Sequence, residues 1–186
     1  HAIRQLGRAY WWVVGIGALF TLARFSEAFL VLRAVDGGLP LSFTPFVLVL
    51  MNVVYSISAY PFGRLSDRMS HTTLLAIGLL ILAGADLSLA LATSWEWSIP
   101  GIALWGLHLG ITQGLFATMV ADTAPIDLRG TAYGFFNLFS GIAMLVSSVL
   151  AGALWDFVGP SATFQAGAVF CGLALGLTVL RRRPRP

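Results

Sequence analysis

Six long apolar runs, each close to the length that crosses a bilayer, constrain this chain more than any other feature. They cover about residues 10–32, 44–62, 73–92, 100–120, 131–154 and 161–180, and a basic tail follows at 181–186. A helix needs about 20 apolar residues to traverse the hydrocarbon core. Short polar or Pro/Gly-marked turns separate the runs: Asp36-Gly37-Gly38, the charged stretch Gly63 to His71, Ser94-Trp95-Glu96-Trp97, Asp122 to Gly130, and Trp155 to Pro160. Only 10% of the residues are charged, against roughly 25% in soluble domains. So much apolar surface has no hiding place in a water-soluble fold of this size, so lipid is part of the solvent.

The runs are expected to be helices. Backbone polar groups in lipid need internal partners, and a β-barrel would show short alternating strands instead. The first run lacks a small-residue cleavage site and is read as a span, not a leader. An even number of spans puts both ends of the chain on one side. That side holds Arg4, Arg8, Arg64, Arg68, Arg129, Arg181, Arg182, Arg183 and Arg185; the other holds Arg33, and Arg24 falls inside a span. The asymmetry predicts cytoplasmic termini. Trp11, Trp12, Trp95, Trp97 and Trp155 fall near run ends, where an interfacial aromatic belt is expected. The Arg residues form no basic stripe, which argues against nucleic acid as a partner. No nucleophile–base set, metal cluster or phosphate loop is evident, so neither an enzyme nor a cofactor or metal site is expected. Cys171 sits in an apolar run and is expected to be structural.

One turn carries a distinctive charge pattern: Gly63-Arg64-Leu65-Ser66-Asp67-Arg68, between the second and third spans. Gly63 would permit a sharp turn and close helix approach. Asp67 can accept bonds from Arg or from a helix N-terminus. Such a cluster can latch helices in one state and release them in another; a solvated turn with topogenic charges explains it as well. The stretch resembles the signature loop of the major facilitator superfamily, G-x-L-A/S-D-R-x-G-R/K-R/K. Gly63, Leu65, Asp67 and Arg68 match, while Ser70, His71 and Thr72 stand in place of the usual Gly and basic pair. A second link, Pro125 to Gly134, resembles the P-x-x-x-R-G-x-A-x-G segment leading into helix eleven, with Arg129 and Gly130 at its centre.

The resemblance implies an all-α half bundle of two inverted three-helix repeats, helices seven to twelve of a twelve-helix transporter. It also implies a bacterial inner (plasma) membrane, a small-molecule substrate moved by alternating access, and a partner that completes the path. That partner is the N-terminal six-helix half of the same transporter or a second copy. The opening His1 in place of Met agrees with a partial chain. A half-size homodimeric transporter and a non-transporting membrane scaffold or sensor are the alternatives.

Ionisable residues inside spans are the default functional candidates. Arg24 and Glu27, three apart, are expected to share a helix face, either neutralising each other or meeting substrate or proton. Trp105, His108 and Thr112 share a face of the fourth span, and His108 is either a proton carrier or a neutral imidazole bonded within the bundle. The resemblance implies that the first and fourth helices line the cavity, which would bring Arg24, Glu27, His108 and Thr112 to it. Asp86 would then be peripheral and structural. Asn52, Tyr55, Ser56 and Asn137 are weaker candidates. Gly106, Gly110 and Gly114 are expected to make a smooth packing face.

Overall fold

The computed structural model describes residues 5–66 and 68–182. Asp67 of the expected latch, together with Arg4, Arg183 and Arg185, lies outside them. Among the described residues, eight α-helices with given bounds follow in order: α1 (Arg8–Ala23), α2 (Ala28–Asp36), α3 (Thr44–Ser66), α4 (His71–Leu91), α5 (Trp95–Thr112), α6 (Leu115–Thr123), α7 (Arg129–Phe157) and α8 (Pro160–Arg182). Short 3-10 turns at Leu41–Phe43 and Ile126–Leu128 lead into α3 and α7. The described residues contain no strand.

Two pairs of helices join end to end, so the eight helices make six apolar spans: Arg8–Asp36, Leu41–Ser66, His71–Leu91, Trp95–Thr123, Ile126–Phe157 and Pro160–Val179. All are long enough to cross. The fourth begins at Trp95, earlier than the expected start after Pro100, and carries Pro100 inside its helix. Proline lacks the N–H that would bond four residues back. The carbonyl left over belongs to Glu96, which is exposed near the span end, where water and headgroups can serve it.

The packing pattern reveals the internal repeat. The fourth span packs on the second and third, and the first packs on the fifth and sixth, while the third and sixth pack on each other. Exchanging spans one, two and three with four, five and six leaves that pattern unchanged. A unit with three spans ends on the opposite side from its start, so the second unit is inverted relative to the first.

Glycine sets the closest approaches. A side-chain carbon at Gly106 would collide with the backbone of Met51, and one at Gly110 with Ser58, both on the second span. Nothing lies near Gly114, so only two of the three spaced glycines make the expected packing face. On the opposite flank, a carbon at Gly101 would sit 2.6 Å from the Leu89 side chain. Lipid helices associate through this kind of close backbone contact.

The first span's outer segment, α2, is tied to the hairpin between α4 and α5. Arg33 donates from Nε to Leu89 O at 2.9 Å and from a terminal nitrogen to Ala92 O at 2.5 Å, and it pairs with Asp36 at 2.8 Å. The Trp95 N–H donates to Gly37 O at 3.0 Å. The sequence treats Arg33 as a lone loop charge; folded, it is a buried strap over the carbonyl end of α4.

Candidate functional site

The first span is not the continuous helix expected over 10–32. α1 stops at Arg24, whose backbone leaves the helical region at φ −107° and ψ 85°. Ser26 then starts α2: its Oγ accepts from Ala28 N at 3.3 Å, and its carbonyl accepts from Phe29 N at 3.1 Å. A serine that bonds its local backbone competes with the helix ladder, which explains the break. Arg24 and Glu27 therefore do not share one helix face. Among the described residues the ion pairs are Arg33–Asp36 and His71–Asp122, so Arg24 and Glu27 attract only at longer range.

The break opens into a pocket of about 540 Å³. Arg24, Phe25, Ser26 and Glu27 form one wall, and Gly141, Met144, Leu145 and Ser148 of the fifth span form the other. Irregular backbone at membrane depth is tolerated only where protein buries it or where it lines a watery cavity.

The fourth span, the repeat mate of the first, is divided at Gln113–Gly114, between α5 and α6, although both residues keep helical dihedrals and Gln113 N still donates to Leu109 O at 2.9 Å. Trp105, His108 and Thr112 lie ahead of that division and are all buried. His108 bonds through Nδ1 to Gly78 O at 3.0 Å, and Thr112 Oγ1 donates to His108 O at 2.9 Å. These residues face into the half bundle, toward the third span, and not onto the pocket at Arg24 and Glu27. Two rings of the first span separate the sets: Phe20 stacks on His108 at 5.1 Å, and Phe25 lies 5.4 Å from Trp105. His108 Nε2 and Trp105 Nε1 are buried without hydrogen-bond partners.

The weaker candidates lie elsewhere. Asn52, Ser56 and Asn137 are exposed on the second and fifth spans. Asn52 and Ser56 bond back to their own helix, at Leu48 O and Asn52 O.

At the end of the bundle near the chain termini, Gly63 lies inside α3 with open space around it, so it makes neither a sharp turn nor a close approach. Leu65 is half-buried, and its carbonyl accepts from Arg68 N and Met69 N, both at 3.0 Å. Arg68, Arg129 and Gly130 are exposed. Ser70 caps α4, accepting from Thr73 N at 3.2 Å. His71 lies 3.8 Å from Asp122 at the end of α6, so a residue replacing the usual basic pair forms the link between these two turns.

Comparison with known proteins matches this architecture. The Major Facilitator Superfamily model matches residues 36–186. MJ1317, an uncharacterised MFS-type transporter of Methanocaldococcus jannaschii, is 33% identical over 171 residues, 89% of this chain and 42% of its own length. The inner membrane transport protein YdhP of Escherichia coli K12 is 29% identical over 179 residues, 94% of this chain and 44% of its own. The crystal structure of an auto-inhibited POT family peptide transporter superposes with a TM-score of 0.76 at 19% identity, covering 97% of this chain and 38% of that one. That likeness shows the fold. The chain spans about two fifths of the length of these proteins.

Proposed function

The chain belongs to the major facilitator superfamily, and on that premise we propose that it forms the six-span half of a secondary transporter for a small solute or drug-like compound. One observation carries this reading: the first span breaks inside its apolar length and presents Arg24, Ser26 and Glu27 to an open pocket. Interrupted spans mark solute sites in transporters of this kind. Exposed Asn52, Ser56 and Asn137 support a partner, not lipid, over the second and fifth spans. That partner is a second six-span half, from the same transporter or from another copy. Rocking of the halves would expose the pocket to each side in turn. Proton coupling would run through Glu27 or His108, with the termini cytoplasmic and the protein in a bacterial inner membrane.

The test is solute flux in proteoliposomes made with the full-length native protein, with and without a pH gradient. Glu27→Gln and His108→Gln are compared with wild type. Loss of pH-driven flux in either variant supports coupling there. Intact pH-driven flux in both removes proton coupling through these residues. Flux that survives loss of both Arg24 and Glu27 removes the pocket as the solute site, and a protein that carries nothing fits a scaffold or sensor instead.

A further inference from the structure

Asp86, in the third span, has no exposed surface. Its surroundings differ from those of a structural acid, which would bring a bonded partner to each oxygen. Oδ1 has no hydrogen-bond partner. Oδ2 faces the sixth span, where Cys171 Sγ donates from 4.0 Å, a long and weak bond. Gly167 makes the room: a side-chain carbon there would stand 2.5 Å from Oδ2 and 3.0 Å from the Phe25 ring. Phe25 belongs to the break in the first span, so the carboxyl sits behind that break, closed in by one phenyl ring and the sixth span.

No cation answers this carboxyl among the ion pairs of the described residues. From the sixth span the titratable group facing it is the Cys171 thiol. On the first span Arg24 and Glu27 flank Phe25 without bonding Asp86. On the fourth, His108 is bonded at Gly78, eight residues and about 12 Å along the third helix from Asp86. A bare carboxylate in such a place is strongly unfavourable. The protonated form, by contrast, would be neutral and would carry an O–H donor of its own.

We propose that Asp86 is a gated proton-binding site. It holds a proton as the carboxylic acid while Phe25 and the sixth span close over it. When the broken first span moves off the sixth and admits water, the O–H bond breaks and the proton passes to water, leaving the carboxylate. Closure reverses the step. The site is distinct from the pocket at Arg24 and Glu27, and its occupancy does not depend on which solute is carried.

The experiment is infrared spectroscopy of the full-length native protein in lipid at neutral pH, comparing wild type with Asp86→Asn. The expected result is a carboxylic-acid C=O band in wild type that the variant lacks, with slow deuterium exchange in the resting protein. Cys171→Ala, which alters only the neighbour, should keep the band and shift it. That variant decides the matter if Asp86→Asn does not fold. Identical carboxylic-acid absorption in wild type and Asp86→Asn, or a band indifferent to Cys171→Ala, overturns the site. Immediate exchange at rest overturns the gate. Solute flux that survives loss of both Arg24 and Glu27, with the band intact, would count against the pocket and leave this site standing.

Discussion

Arg33 donates from Nε to the carbonyl of Leu89, 56 residues away, at 2.9 Å, and so ties the outer segment of the first span to the end of the third. The same guanidinium also holds Ala92 O and Asp36. Hydrogen bonds to charged groups contribute about 1.5–3 kcal/mol each, and buried orphaned carbonyls add a desolvation penalty. Arg33→Gln should therefore destabilise the protein by about 3 kcal/mol, read as a lower unfolding midpoint in detergent. Arg33→Lys should recover less than half, because an ammonium lacks the planar fork that spans two carbonyls and a carboxylate. An Arg33→Gln midpoint equal to wild type would refute the strap.

The packing face on the fourth span makes a sharper contrast. Gly106 and Gly110 leave no room for a side-chain carbon against the second span, whereas Gly114 has open space. Gly106→Ala should push two backbones apart at a cost of about 1–3 kcal/mol, the range for overpacked cores. Gly114→Ala should change the unfolding midpoint little. Equal effects at the two positions would mean that the second and fourth spans do not meet as described.

Much of this architecture is legible in the sequence, because hydropathy reports directly on solvent: six apolar runs become six spans, and the two family motifs fall at the same end, where they run partly into α3 and α7. What is not legible depends on local capping or on tertiary contact. Apolar periodicity runs straight through Arg24 to Glu27, so Ser26 taking over the start of a new helix leaves no trace in it. The same periodicity puts Trp105, His108 and Thr112 on one face, but only the closeness of Gly78, which admits Thr112 and accepts the His108 bond, decides that this face turns inward. Arg33 looks like a loop charge because its carbonyl partners lie in the 3–4 hairpin, far along the chain.

His71 stands 3.8 Å from Asp122, between the turn after the second span and the end of the fourth. Both side chains are partly solvated, and such pairs contribute no more than about 1 kcal/mol. His71→Arg, which carries a fixed charge, should hold the two turns together at least as well as His71, and His71→Ala should loosen them. Crosslinking between cysteines placed at Thr72 and Thr123 would read the pair. Equal crosslinking in wild type, His71→Arg and His71→Ala would assign the contact to other groups.

The break and the core behind it differ in access to water, and thiol labelling can read that difference. Ser26 is half-buried and lines the pocket, whereas Cys171 is 1% exposed and packed against Asp86. In the full-length native protein, a Ser26→Cys variant should react with a water-soluble maleimide while Cys171 stays unmodified. Only thiolate reacts, and it forms where water reaches the sulfur. A water-filled break predicts labelling at position 26 that slows when solute occupies the pocket. If the Ser26→Cys thiol is inert while Cys171 reacts, water reaches the first span from the side of the sixth, and the solute path belongs there instead.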